Sequence, residues 1–210
     1  MNVIENNSET ILDELIKDSK LDYLRMMKSA AKSVLTGFEP SNFKDVYLSI
    51  SREQGEELRK LIVQRNIKNV VEFGTSFGIS TLFLAQGVTE TNGKIITTEL
   101  IPSKAKKAKE NFERAGVAQS IEVLIGDAMD TLKNHSETID LLLLDGWKDL
   151  YHPLFKMLEP NFHNGTIIYV DNADMAETRD FLSKVKSTDK YELQSQFGGK
   201  VVLITSKIQE

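Results

Sequence analysis

The chain has 210 residues, a formal net charge of -5 and no cysteine. This length suits one hydrophobic core and is too short for two full α/β domains. The mild negative charge argues against a general nucleic-acid-binding surface, and the lack of cysteine excludes disulfide bonds. Neither a signal peptide nor an apolar run long enough to cross a bilayer is evident, so we expect a cytoplasmic protein with no membrane partner.

Two amphipathic helices are predicted at the start of the chain, over residues 9–17 and 21–35, because apolar residues recur there at helical spacing. The second helix is expected to end near Gly37, before a loop over 38–42. These helices differ in character from the rest of the sequence. We therefore divide the chain into an N-terminal helical extension, 1–45, and a main domain, 46–210.

The segment 70–80 is predicted to be a buried strand that ends in Glu72, turns through Gly74 and Gly78, and enters a helix. Glycine allows a positive φ and a close approach of the backbone to a ligand, and the first turn of a helix offers unpaired N–H groups. The spacing is neither the G-x-G-x-x-G of dinucleotide folds nor a phosphate loop with its lysine. The turn therefore indicates a nucleotide-like ligand of another kind.

Four further strands are predicted over 94–99, 120–127, 139–145 and 166–171, and each ends in or just before an acidic residue. Helix-compatible segments such as 103–115 separate them, and the nearly continuous apolar runs are typical of strands covered on both faces. The order predicts an α/β fold with a mostly parallel sheet. The lysine run 104–109 is interpreted as a solvated helix face.

Five acidic residues should meet at the carboxyl edge of this sheet, where ligands bind in such folds. They are Glu72, Glu99, Asp127, Asp145 and Asp171. For each of them, capping of the next helix is the alternative, with Asp127 the best case.

Asp145, Asp171 and Asn172 offer three hard oxygen ligands, which suit Mg²⁺; zinc is disfavoured by the lack of cysteine and of spaced histidines. Lys148 could reach the same edge and act as a base, and a solvated surface lysine is the alternative. Near the C-terminus, a helix is predicted over 178–185, and Gly198 and Gly199 are expected to form a hairpin turn between strands 191–197 and 200–205.

From about residue 48 onward, the sequence resembles a known family through six motifs in order. They are ISREQG at 50–55, EFGTSFGIS at 72–80, ITTE at 96–99, GDA at 126–128, LDGWKD at 144–149 and VDN at 170–172. The chain resembles class I S-adenosylmethionine-dependent O-methyltransferases of the cation-dependent branch that includes catechol and caffeoyl-CoA O-methyltransferases. The resemblance implies a single Rossmann-like domain with a mostly parallel seven-stranded sheet, helices on both faces and a C-terminal antiparallel hairpin.

The resemblance also implies a role for each matching residue and a small-molecule acceptor, such as a catechol or another vicinal diol. Lys148 would be the catalytic base, and Asp145, Asp171 and Asn172 would bind Mg²⁺ or another divalent cation. The cofactor-binding residues would be Gly74, Ser76 and Ser80 at the methionine part, Glu72 shaping the turn, Glu99 at the ribose hydroxyls, Asp127 and Ala128 at the adenine, and Asp145. In this family, N-terminal helices cover the active site or join subunits, so the extension is expected to be a lid or a homodimer contact; packing on the sheet is the alternative.

Three other functions remain open. One is a metal-independent methyltransferase for another nucleophile, in which Asp145 and Asp171 are structural. Another is a non-catalytic S-adenosylmethionine-binding protein, against which the joint presence of metal ligands and a base argues. The last is a dehydrogenase-like protein, against which the missing G-x-G-x-x-G argues.

Overall fold

The computed structural model describes residues 3–36, 40–47 and 49–207. Within these ranges the α-helices are α1 (Val3–Ser19), α2 (Asp22–Thr36), α3 (Arg52–Arg65), α4 (Ile79–Thr91), α5 (Pro102–Ala115), α6 (Ala128–Thr131), α7 (Tyr151–Leu158) and α8 (Ala176–Lys186). The strands are β1 (Asn69–Phe73), β2 (Lys94–Glu99), β3 (Ile121–Ile125), β4 (Ile139–Leu144), β5 (Phe162–Val170), β6 (Tyr191–Gln196) and β7 (Val201–Ser206).

The strands form one seven-stranded sheet in the order β3-β2-β1-β4-β5-β7-β6. Strands β1 to β5 pair in parallel, whereas β7 runs antiparallel to both β5 and β6. The predicted α/β class, the parallel sheet and the C-terminal hairpin are thereby confirmed. The strand order reverses between β1 and β4, which opens a crevice at their carboxyl ends.

Two predicted strand boundaries are wrong by more than one residue. Strand β5 begins at Phe162, four residues before the predicted start, because the Thr166 hydroxyl accepts from His163 N at 2.9 Å and donates to Ile139 O at 2.7 Å. These bonds continue the pairing with β4 across an irregularity in register. Strand β3 ends at Ile125, since Gly126 takes a φ of +132° and the chain then turns into α6.

The sheet is covered on both faces, which explains why its strands lack alternation. In β4, Leu141 and Leu143 belong to a core cluster beneath α3, α4 and α5, whereas Leu142 and Leu144 belong to the cluster beneath α7 and α8. Both sets are fully buried. A strand buried on both faces has no solvent-facing position at which a polar residue would be favoured.

Helix α1 is part of the first core cluster. Ile11, Leu12 and Leu15 are each at most 5% exposed, and α1 packs against α4 and α5. Arg52, at the start of α3, donates to Glu9 of α1 at 3.0 Å. Helix α1 therefore packs on helices that cover the sheet, whereas the alternative named for the extension was packing on the sheet itself.

Helix α2 is attached mainly through polar groups. Arg25 donates to Asp18 Oδ2 at 2.7 Å, and the Asp22 carboxylate accepts from Tyr47 N at 2.8 Å. Several of its large apolar residues are exposed, including Tyr23 at 73% and Met27 at 57%. The predicted helix end near Gly37 and residues 38–39 of the predicted loop lie outside the described residues; residues Pro40–Phe43 form a short 3-10 helix.

No helix within the described ranges is both long enough and apolar enough to span a membrane.

Candidate active site

A cavity of about 430 Å³ lies at the carboxyl ends of β1, β2 and β4, where the strand order reverses. Of the predicted site residues, it is lined by Gly74, Ser76, Glu99, Asp127, Ala128, Asp145, Lys148 and Asn172. A smaller pocket of about 10 Å³, lined by Ser80, adjoins it at Gly74, Ser76 and Asp145. The fold therefore brings most of the predicted site residues to one place.

The turn after β1 requires glycine at position 74 for two reasons. Gly74 has a φ of +110°, and a Cβ there would lie 2.7 Å from the backbone oxygen of Asp145. Asp145 N in turn donates to Phe73 O at 3.0 Å. The turns that follow β1 and β4 are thus in backbone contact, and together they form the floor of the cavity.

Glu72 supports this turn from below and is not among the residues lining the two pockets. Its carboxylate is fully buried and accepts hydrogen bonds of 2.6 Å from Ser80, Thr81 and Thr97 hydroxyls. Burial raises the pKa of Glu72, and the three hydroxyl donors oppose that rise. The Glu72 carboxylate thus connects β1 to the start of α4 and to β2, and it accepts the hydroxyl hydrogen of Ser80.

Glu99, at the end of β2, presents its carboxylate to the cavity. Oε2 accepts from Ser76 N at 2.8 Å and Oε1 accepts from Ile101 N at 2.8 Å, which fixes the plane of the group. Burial raises the pKa of Glu99, while the Ile101 amide and the nearby Lys104 ammonium lower it. A carboxylate oxygen can accept more than one hydrogen bond, so both oxygens can also receive ligand hydroxyls.

Asp127 both caps helix α6 and lines the cavity, which were the two alternatives predicted for it. Its side chain caps α6 by accepting from Met129 N at 2.8 Å, as the capping interpretation predicted. The same exposed residue, with Ala128, also lines the cavity. Capping orients Asp127 without removing it from the site.

Asp145, which lines the cavity, forms an acidic pair with the buried Asp171, which does not line it. Burial raises the pKa of Asp145 well above the usual range of an aspartate, and the adjacent Asp171 carboxyl raises it further. Asn172 follows with a φ of +53° and lines the cavity. A shared proton or a bound cation would relieve the repulsion in such a pair.

Two carboxylates and one amide oxygen fit a hard cation such as Mg²⁺, which binds few protein ligands and keeps several waters. Within the described ranges, no group of three or more His, Cys, Asp or Glu side chains is placed to hold a metal ion. Asn172 would therefore have to supply the third protein ligand.

Gln54 is a neighbour of this pair that sequence reasoning did not assign to the site. It is 1% exposed, and its Nε2 donates to Asp171 Oδ1 at 2.8 Å. Its Oε1 accepts from Ser51 N at 3.0 Å in a capping box and from Lys200 Nζ at 3.3 Å. The S-x-x-Q pattern signals the capping box, but no local pattern predicts a bond to a residue 117 positions away.

Lys148 lies at the cavity wall, with a side chain that is 16% exposed and therefore unlike a solvated surface lysine. Its Nζ is 3.6 Å from Asp145 Oδ1 and 2.8 Å from the Tyr151 hydroxyl, to which it donates. Burial raises the pKa of Tyr151, so this hydroxyl keeps its proton and donates to Asp171 O at 3.4 Å. The Lys148 amino group is thus held beside the acidic pair.

Lys104 contradicts the interpretation of run 104–109 as a uniformly solvated face. It is 4% exposed and lines the cavity, and burial lowers its pKa. The signal was present in the sequence: Lys104 shares a helical face with Ala108, Phe112 and Ala115, which are all buried.

Apolar side chains form the outer wall of the cavity. Met26 of α2, Phe43, Trp147 and Met175 all line it, and the rings of Phe43 and Trp147 meet edge to face at 6.2 Å. Trp147 is therefore part of the pocket wall. Such a wall favours a ligand with aromatic or apolar parts.

Known proteins similar to this chain are O-methyltransferases. The family model described as O-methyltransferase matches residues 39–179. A catechol O-methyltransferase of Mycobacterium tuberculosis is 34% identical over 126 residues, which cover 60% of this chain and 57% of the relative. One of Niastella koreensis is 33% identical over 129 residues, covering 60% of this chain and 58% of the relative. The match thus spans less than two thirds of either relative.

Among solved structures, the O-methyltransferase from Bacillus cereus in complex with SAH superposes with a TM-score of 0.68. It is 21% identical and covers 87% of this chain and 90% of its own. At this identity the likeness concerns the fold, which is a Rossmann-like methyltransferase fold.

Proposed function

Because this chain belongs to the O-methyltransferase family, we propose that it transfers a methyl group from S-adenosylmethionine to a hydroxyl of a small molecule, with divalent-metal assistance. The observation that carries the proposal is a single cavity at the strand-order reversal that is lined by Glu99, Asp145 and Lys148. A catechol-like compound or another vicinal diol is the proposed acceptor.

The cofactor would lie along the floor of the cavity. Glu99 would accept the two ribose hydroxyls, and Asp127 and Ala128 would border the adenine. The methionine part would lie at Gly74 and Ser76, where the cavity adjoins the smaller pocket lined by Ser80. This placement is supported by the residues that the two pockets share, since Gly74, Ser76 and Asp145 line both.

Asp145, Asp171 and Asn172 would hold the metal. When bound, a divalent cation supplies Lewis acidity that lowers the pKa of an acceptor hydroxyl. Gln54 would orient Asp171 through its 2.8 Å hydrogen bond, leaving the other carboxylate oxygen of Asp171 available for coordination. The donor set itself supports Mg²⁺ over softer metals.

Lys148, as the neutral amine, would take the acceptor's hydroxyl proton at Nζ. A carbon–oxygen bond would form as the carbon–sulfur bond of the sulfonium breaks, leaving S-adenosylhomocysteine. Tyr151 would hold Nζ in position through their 2.8 Å hydrogen bond. The apolar wall formed by Phe43, Trp147 and Met175 would exclude water and align the acceptor.

The proposal is tested by titrating S-adenosylhomocysteine (SAH) calorimetrically, with Mg²⁺ and with chelator, and then measuring turnover on a panel of diols. We expect SAH binding and metal-dependent turnover. Asp171→Asn should abolish the metal-dependent turnover. Asp149 is an exposed neighbour of the site, so Asp149→Asn should leave that turnover unchanged. Failure of SAH to bind would refute the cofactor assignment, and turnover insensitive to chelator would favour the metal-independent alternative.

The role of Lys148 is tested separately. Lys148→Met should lower kcat by roughly 10²- to 10⁴-fold, the usual contribution of a general base, and leave SAH affinity unchanged. Lys156→Met is the matched control, because Lys156 is 55% exposed and lies one helical turn beyond Tyr151 on α7. Unchanged kcat in Lys148→Met would exclude Lys148 as the base.

A further inference from the structure

Lys104 is a buried cation whose hydrogen-bonding capacity is mostly unused. It projects from the first turn of α5, is 4% exposed and lines the cavity. Its Nζ has a 3.4 Å contact with Ser76 Oγ and lies 5.5 Å from the centre of the Phe77 ring. An ammonium has three N–H donors, and a buried one is stabilised only when they find partners.

No carboxylate in the described part of the chain forms a direct ion pair with Lys104. Glu99, Asp22 and Asp45 favour its charged form from a distance, but burial has the larger effect and lowers its pKa. Beyond this long contact to Ser76, no other hydrogen bond of Nζ to the described residues is seen, and Lys104 lines the cavity. A cavity ligand with an oxygen acceptor at this point would complete the site.

Lys104 and Glu99 are held at the same corner of the cavity by one residue. Ser76 N donates to Glu99 Oε2 at 2.8 Å, and Ser76 Oγ is the contact of Lys104. The Lys104 ammonium, which donates hydrogen bonds, therefore lies near the Glu99 carboxylate, which has two acceptor oxygens. This combination suits vicinal hydroxyls, because each hydroxyl donates one hydrogen bond and keeps lone pairs that can accept another.

We propose that Lys104 is a second ribose-binding residue, whose Nζ donates to one of the two ribose hydroxyls while Glu99 accepts their hydrogens. The inference rests on the proposed function, since it assumes that the ribose of the cofactor lies at Glu99. It assigns to Lys104 a direct contact with the cofactor and no part in methyl transfer. Lys104→Met should therefore raise KM for S-adenosylmethionine and leave kcat at saturation unchanged.

The test measures binding of SAH and of its 2′-deoxy and 3′-deoxy analogues by calorimetry to the wild type, Lys104→Met, Lys104→Arg and Lys106→Met. A hydrogen bond from a charged donor predicts a loss of SAH affinity of about tenfold or more in Lys104→Met. The analogue that lacks the contacted hydroxyl should bind the wild type more weakly and lose little further in this variant. Lys104→Arg, which keeps a cationic donor, should retain most of the affinity, and Lys106→Met, on the exposed face of α5, should match the wild type.

Two results would overturn the inference. Unchanged SAH affinity in Lys104→Met would show that no contact is made. Equal losses for SAH and both deoxy analogues would show that Lys104 acts only on Glu99 or on local packing. Failure of the wild type to bind SAH would be a different outcome, because it would reject the proposed cofactor site itself.

Discussion

Gln54→Leu should weaken divalent-metal binding without unfolding the protein. The substitution keeps a side chain of similar size at a position that is 1% exposed, but it removes the 2.8 Å hydrogen bond to Asp171 Oδ1. A hydrogen bond to a charged group contributes about 1.5–3 kcal/mol, and about 1.4 kcal/mol corresponds to a factor of ten. The loss of metal affinity should thus be roughly 10- to 100-fold, the range usual for residues that orient a metal ligand.

The assay is a titration with Mn²⁺ followed by electron paramagnetic resonance, in the presence of saturating SAH, with thermal unfolding of each variant as a check on the fold. Gln64→Leu provides the control, because Gln64 lies on the same helix but is exposed. If Gln54→Leu binds Mn²⁺ as tightly as the wild type, Asp171 does not depend on Gln54 for its orientation. If the wild type binds no Mn²⁺, the acidic pair is not a metal site.

Three further predictions concern the scaffold and are read from urea unfolding. Gly74→Ala should destabilise the protein more than Gly165→Ala does, because the added Cβ meets backbone atoms only at Gly74. Both glycines have a positive φ, so the control Gly165→Ala reports the backbone strain alone, about 1–2 kcal/mol. Equal losses would contradict the clash. Burial raises the pKa of Glu72 above the ordinary value of 4.5, so the folded state retains a proton that the unfolded chain releases. The free energy of unfolding should therefore fall as the pH rises from 4.5 through the pKa of Glu72 in the folded state. Glu72→Gln should reduce this dependence of stability on pH, and an unchanged dependence would show that Glu72 does not cause it. Leu12→Ala should cost about 2–5 kcal/mol because Leu12 is fully buried, whereas Leu24→Ala, at a site 58% exposed, should cost less than about 0.5 kcal/mol. Similar costs would mean that α1 is not part of the core.

The acidic residues at the sheet edge illustrate what sequence can predict here. The rule that ligands bind at the carboxyl ends of parallel strands correctly brought Glu99 and Asp145 into one cavity. It could not separate them from Glu72, which comes at a similar point of its strand. Glu72 differs because hydroxyls from α4 and β2 occupy its carboxylate, and those partners are fixed only by tertiary packing.

Lys104 is an exception of a different origin. The composition of the run 104–109 predicts a solvated helix face, whereas the helical spacing of Lys104 with Ala108 and Phe112 places Lys104 on the buried face. Gln54 lay beyond any local pattern, because its partner Asp171 follows a strand at the other side of the sheet crevice. Local periodicity therefore predicts which face of a helix a residue occupies, and only the fold determines which residues it contacts there.

Asp145 takes part in two sites at once: its backbone oxygen abuts the turn at Gly74, and its carboxylate belongs to the acidic pair. The proposed cofactor and cation sites are therefore connected through one residue, and thermodynamic linkage would make their coupling reciprocal. If the bound cation changes the affinity for the cofactor by some factor, the bound cofactor changes the affinity for the cation by the same factor. A dissociation constant measured for either ligand thus describes one side of a four-state cycle, and it has meaning only with the concentration of the other ligand stated.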